Sequence, residues 1–186
     1  MKRWFLSFSV LLIIISGCRN VVDETKKDFN TIQQASLKSD IPTTAIFYTQ
    51  EMKETAFSLY ELSNGYGILH FSKKEDGWDF QGSGGFMNTI DTDIKPFSFN
   101  QSTRHIGEVD LGKESLYSTV FLGEVFDPEI SKITIKYNKT QKDAIIIENN
   151  ERRYWYLLSD QNDGNERETT ASAYSNEGEL LYENKY

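Results

Sequence analysis

One cysteine, Cys18, stands in a chain of 186 residues. No intramolecular disulfide can form, so the fold depends on packing and hydrogen bonds rather than covalent staples. Proline is scarce, at three residues, and charge of both signs is spread along the chain, which argues against a disordered polymer. Concentrated basic charge is missing as well. The densest basic runs, Lys73-Lys74 and Arg152-Arg153, are mere pairs beside acids, in a chain of net charge −8. A phosphate backbone needs a basic footprint, so no nucleic acid is expected as a partner, and an anionic membrane surface offers no electrostatic attraction. No apolar run reaches the roughly 20 residues that a membrane-spanning helix needs. The longest runs from about Trp4 to Ile15 and is interrupted by Ser7 and Ser9.

What is present begins at that stretch. Lys2 and Arg3 precede it and the small residues Ser16 and Gly17 follow it, the order of a secretory signal peptide; an uncleaved anchor is the alternative reading. Ile15-Ser16-Gly17-Cys18 resembles the lipobox of bacterial lipoproteins, in which an apolar residue, two small residues and a cysteine close the apolar core. The resemblance covers these four residues and their signal-peptide context. It implies cleavage before Cys18, removal of residues 1–17, and a diacylglyceryl thioether on the Cys18 sulfur, the chain's only thiol nucleophile. Two acyl chains suffice for stable anchoring. The implied address is the extracytoplasmic face of a cell membrane, and the lysine- and asparagine-rich composition without disulfides resembles lipoproteins of Gram-positive cells.

Residues 18–42 read as a tether containing a short amphipathic helix. Phe29 and Ile32 lie on its apolar side, and Pro42 disfavours helix at Ile41, which places the end near Leu37 or Lys38. From Thr43 the pattern changes to period two. Thr44–Thr49, Thr55–Leu62, Gly67–Ser72 and Trp78–Gln81 read as strands joined by turns at Asn64-Gly65 and Gly77, an antiparallel β-meander assigned to residues 43–103 together with a glycine-rich connection from Gly82. Further strands are expected at His105–Asp110, Leu116–Phe126, Lys132–Tyr137, Ala144–Glu148, Arg153–Leu158, Thr169–Tyr174 and Glu179–Glu183. Their short lengths and regular turns predict a β-sandwich-like unit at 104–186. It is immunoglobulin-like by analogy only, since the paired cysteines and central tryptophan of an antibody domain are missing from the pattern. The chain is therefore expected to be mainly β, with antiparallel strands and one short N-terminal helix; the alternative is a single closed β-barrel.

Chemistry is sparse. His70, between Leu69 and Phe71, is expected on the wetter face of its strand, and neither it nor His105 lies in a catalytic or metal motif. Ser83 among glycines lacks the elbow of a serine hydrolase. Asp160 to Glu166 resembles a calcium loop but fails its register at the fifth, sixth and twelfth positions, so no metal or other cofactor is expected. Acidic pairs such as Asp91 with Asp93 and Glu51 with Glu54 read as solvated surface. The run from Arg152 to Leu158 is apolar on both sides, as in a covered central strand, while the sharper reading makes Tyr154, Trp155 and Tyr156 a binding face. These features predict a non-enzymatic envelope module that binds a protein or cell-wall component. Two alternatives stand beside it: an envelope hydrolase using paired carboxylates, and a carrier of small apolar ligands with a barrel interior.

Overall fold

The computed structural model describes residues 31–87, 95–106, 116–137, 139–159 and 168–186, with the side chains of Ile106, Leu116 and Ser118 excepted. Twelve strands form here: β1 (Ile46–Glu51), β2 (Thr55–Leu62), β3 (Gly65–Lys74), β4 (Gly77–Met87), β5 (Asn100–Ile106), β6 (Leu116–Val125), β7 (Lys132–Tyr137), β8 (Thr140–Asp143), β9 (Ile145–Asn149), β10 (Arg152–Leu158), β11 (Thr169–Tyr174) and β12 (Leu180–Lys185). They assemble into three antiparallel sheets. Sheet 1 has the meander order β1-β2-β3-β4, sheet 2 the order β5-β6-β10-β9, and sheet 3 the order β12-β11-β7-β8. All three are open, so the closed-barrel alternative is not formed among the described residues.

Strand alternation decides how the sheets stack. In β10, Tyr154 and Tyr156 point to one side, where they meet Phe57, Leu59, Tyr66 and Ile68 of sheet 1 and Val120 and Leu122 of β6. Trp155 and Leu157 point to the other side, onto Ile133, Ile135 and Tyr137 of β7 and Ala171 and Ala173 of β11. Sheet 2 is thus covered on both faces. Its central strands read as continuous apolar runs for that reason, whereas β7, with a single core face, alternates Ile133 and Ile135 with exposed Lys132 and Lys136. Sheets 2 and 3 form the expected sandwich in the C-terminal half, and a tryptophan does occupy its centre.

The outer face of sheet 1 carries a third apolar layer. Ala56, Tyr60, Leu69, Phe71 and Trp78 are covered by Ile32 and Ala35 of the helix α1 (Ile32–Ser36). Thr31 caps it reciprocally, its Oγ1 accepting from the Gln34 N–H and the Gln34 Oε1 from its own. The helix stops at Ser36, one or two residues short of the expected end, with its last carbonyls taken by the Leu37, Lys38 and Ser39 amides. Phe29 lies outside the described residues. A chain cut at Ser39, which the tether reading would tolerate, loses Ile32 and Ala35 from this layer. Ile32→Ala is expected to cost about 2 to 3 kcal/mol, measurable as a lower denaturant midpoint; a change below about 0.5 kcal/mol, the scale of a surface substitution, would mean that α1 is not docked.

The β4 and β5 regions, and the strand β8, depart from expectation. The glycines at 82, 84 and 85 belong to β4, and β5 begins at Asn100, so the expected boundary at residue 103 falls within a strand. Both are held by their neighbours: β4 pairs with β3 from Lys74↔Gly77 to Gly65↔Met87, and β5 pairs with β6 from Asn100↔Leu122 to Ile106↔Leu116. The short polar strand β8 pairs with β7 at the edge of sheet 3, with no apolar alternation of its own.

Candidate functional site

Polar side chains enter the seam between sheets 1 and 2 at two ends, separated by the aromatic layer. At the first end stands Arg152, the opening residue of β10. Its guanidinium has five N–H donors in a planar fork, and each finds an acceptor. Nε donates to Glu124 Oε1 at 2.7 Å and Nη2 to Glu124 Oε2 at 2.8 Å. Nη1 donates to Glu61 Oε1 at 3.0 Å and to the Leu62 carbonyl at 3.3 Å, while Nη2 also reaches the Gly65 carbonyl at 2.9 Å. Arg152 therefore ties β6 and β10 of sheet 2 to the β2–β3 turn of sheet 1. Its pKa is raised, chiefly by the hydrogen bond to Glu124, against the opposing effect of burial.

Around this clamp the polar network continues. Asn149 Nδ2 and the Tyr154 hydroxyl donate to Glu61 at 3.1 and 3.4 Å. Tyr66, 1% exposed, accepts from Asn100 Nδ2 at 2.6 Å and pairs with Ser98 Oγ at 3.0 Å; burial pushes its phenol up to about 12. Glu61 and Glu124 are the carboxylates that the fold brings together. They do not form an acid and base facing open space, because the guanidinium occupies the position between them. Glycosidase chemistry needs two carboxyls flanking room for a substrate bond.

The second end lies at His70 and β5. His70 is 4% exposed, which corrects its expected place on the wetter face: Leu69 and Phe71 point to α1, so His70 points into the seam. The second covering layer, which period two in β3 could not reveal, is sheet 2. Nε2 of His70 lies 2.8 Å from Ser102 Oγ. Burial first, and the nearby Arg104 charge second, push the imidazole from 6.5 down to about 4. Arg104 Nη2 donates to the Ser83 carbonyl at 3.1 Å, and its Nε is buried without a hydrogen-bond partner. Gly82 makes room for this arginine: φ there is +141°, and a Cβ would sit 3.1 Å from Nη2. This histidine–serine contact has a base held neutral down to acidic pH, but among the described residues no carboxylate bonds the ring to orient it as a triad requires.

A third polar group lies at β1, where the Tyr48 and Tyr156 hydroxyls stand within hydrogen-bonding reach of each other and of Gln50 Oε1, at 3.0 and 3.3 Å from that oxygen, sharing two protons among the three contacts. Beside it, a shallow depression of about 220 Å³ opens between α1 and β1, lined by Ile32, Ser36, Ile46, Phe47, Tyr48 and Ser58 among others. It carries no charged side chain.

The residues singled out from sequence are dispersed. Tyr154, Trp155 and Tyr156 are 1%, 0% and 3% exposed, so they form two internal layers and not a recognition face. Ser83 is exposed on β4, His105 stacks edge-on against Tyr117 at 5.4 Å, and Glu51 and Glu54 are exposed. Cys18, Asp91, Asp93 and the Asp160 to Glu166 loop lie outside the described residues. Among the described residues no three histidine, cysteine or acidic side chains converge to hold a metal, and no helix is long and apolar enough to cross a membrane. The Arg152 clamp was missed from sequence, although one signal existed: Glu124 interrupts the otherwise apolar run from Val120 to Val125. Comparison with protein-family profiles, with curated proteins and with solved structures found no match to this chain.

Proposed function

We propose that the protein is a bacterial lipoprotein, held on the extracytoplasmic face of the cell membrane through lipid on Cys18, whose β-rich body is a non-enzymatic module binding an envelope protein or cell-wall component. The observation that carries the address is the succession of Lys2-Arg3, the apolar stretch to Ile15 and Ile15-Ser16-Gly17-Cys18. Two features of the body support a binding role over catalysis: the convergent carboxylates are held by Arg152, and the buried histidine is paired with a serine inside a packed seam. The carrier alternative loses its basis, because no barrel closes among the described residues and aromatic rings fill the space between the sheets.

Metabolic labelling with an acyl-chain probe tests the anchor. Cys18→Ala is expected to abolish the label and leave the precursor uncleaved, and normal labelling of that variant would refute lipidation at Cys18. The binding role is tested separately by crosslinking the anchored protein in cells. A discrete adduct with one envelope component is expected, whereas crosslinks to lipid and to copies of the chain alone would count against a partner.

A further inference from the structure

A proton arriving at His70 meets no free acid. The imidazole lies where β5 packs on β3 and β4, across the seam from Ser102. From β5 the charged group facing it is Arg104, a cation. On β4, Trp78 and Phe80 turn towards α1, which leaves Asp79 and Gln81 on the seam side. Asp79 is engaged there, 2.7 Å from Lys38 Nζ and accepting from Gln81 Nε2 at 3.0 Å. The other neighbours are uncharged: β2 pairs Phe57 with His70, β6 contributes Val120 and Leu122, and β3 itself contributes Tyr66, Ile68 and Ser72 on the same face. The seam's other carboxylates, Glu61 and Glu124, bind Arg152, whose contact at Gly65 lies five residues back along β3, about 17 Å away.

We propose that the His70 end of this seam is an acid-operated latch, in which protonation of the imidazole beside Arg104 parts β4 from β5 while the Arg152 end and the sandwich of sheets 2 and 3 stay closed. The two ends differ in kind. One holds a cation saturated by carboxylates and backbone carbonyls, and the other places a titratable base next to a cation whose Nε has no acceptor. The inference is independent of the lipid anchor and concerns the body alone.

The direction follows from linkage. An opened seam returns His70 to water and its ordinary 6.5, whereas the closed seam holds it down to about 4. The open form therefore takes the proton first. The closed form keeps its full advantage above pH 6.5 and loses it progressively as pH falls through 6.5 towards 4. Between pH 7.5 and pH 5 the opening equilibrium rises about 30-fold.

Hydrogen exchange of the full-length chain, corrected for the intrinsic pH dependence of exchange, tests this. Amides of β4 and β5 are expected to open 10- to 30-fold more readily at pH 5 than at pH 7.5, with β7 and β11 unchanged. His70→Gln, which keeps a polar contact for Ser102 but does not titrate, is expected to flatten the response. An equal response in that variant, or an equal loss of protection in β7 and β11, overturns the latch. Should the variant not fold, the imidazole resonance of the unaltered chain decides. It is assigned against His105, the only other histidine; a midpoint near 4 supports the proposal, and one at or above 6.5 overturns it.

Discussion

Trp155→Ala is expected to lower stability by about 3 to 5 kcal/mol, the usual cost of deleting a large aromatic from a core. The indole is 0% exposed and lies between sheets 2 and 3, with Phe97 and Phe99 at centroid distances of 6.3 and 5.8 Å. Its Nε1 donates to the Ser98 carbonyl at 3.0 Å, so truncation also strands an acceptor. Gly123, across from it in register, shows how closely the ring is seated, since a Cβ there would fall 2.3 Å from Nε1. Relaxation into the cavity is correspondingly restricted. Whole domains are stable by about 5 to 15 kcal/mol, so this one change removes much of the margin. Denaturant melts check it. A variant that melts like the parent would place Trp155 outside the core and restore the strand from Arg153 to Leu158 as a candidate binding face.

Arg152→Met is the second large effect, again about 3 to 5 kcal/mol, for an electrostatic reason. The Glu124 side chain is 7% exposed, and Arg152 supplies both of the guanidinium bonds that balance its charge. Removing the cation takes both guanidinium bonds away from a buried carboxylate. The double variant Arg152→Met with Glu124→Gln is therefore expected to recover a large part of the loss, because the stranded charge goes with the arginine. Glu61 is 31% exposed, and its replacement by Gln is expected to cost no more than about 1 kcal/mol. A double variant as unstable as the single one would show that the packing of the arginine stem, and not charge balance, is what matters.

These residues also show how far the sequence could be read. Strand alternation located β2, β6, β7 and β11 closely, and the doubly apolar run at Tyr154 to Leu158 correctly implied cover on two sides. In those segments each strand's own side chains carry the information. The glycine half of β4, the polar start of β5 and the short β8 were illegible because their pairing partners hold them, not their own apolar faces. His70 was misplaced for a related reason. Period two assigns it the side opposite Leu69 and Phe71, but whether that side meets water or a second sheet depends on β5, more than 30 residues later. The Arg152 clamp spans 28 and 91 residues to its two carboxylates, a separation at which spacing carries no signal.

The burial of sheet 2 on both faces has a consequence for the order in which the chain can fold. Sheet 1 is a meander of neighbours, and its hairpins can close as soon as residues 46–87 are available. Its inner face, with Phe57, Leu59, Tyr66 and Ile68, gains Val120 and Leu122 once β6 is made but is not fully covered until Tyr154 and Tyr156 arrive on β10. β10 in turn is flanked by β6 and β9, and the cover on its far side, begun by β7, is completed only by β11, nearly at the C-terminus. Such long-range closure is slow, and it leaves an aromatic sheet face exposed for the whole interval. The early meander is thus the segment with the greatest need of a holdase or of rapid emergence of the rest of the chain.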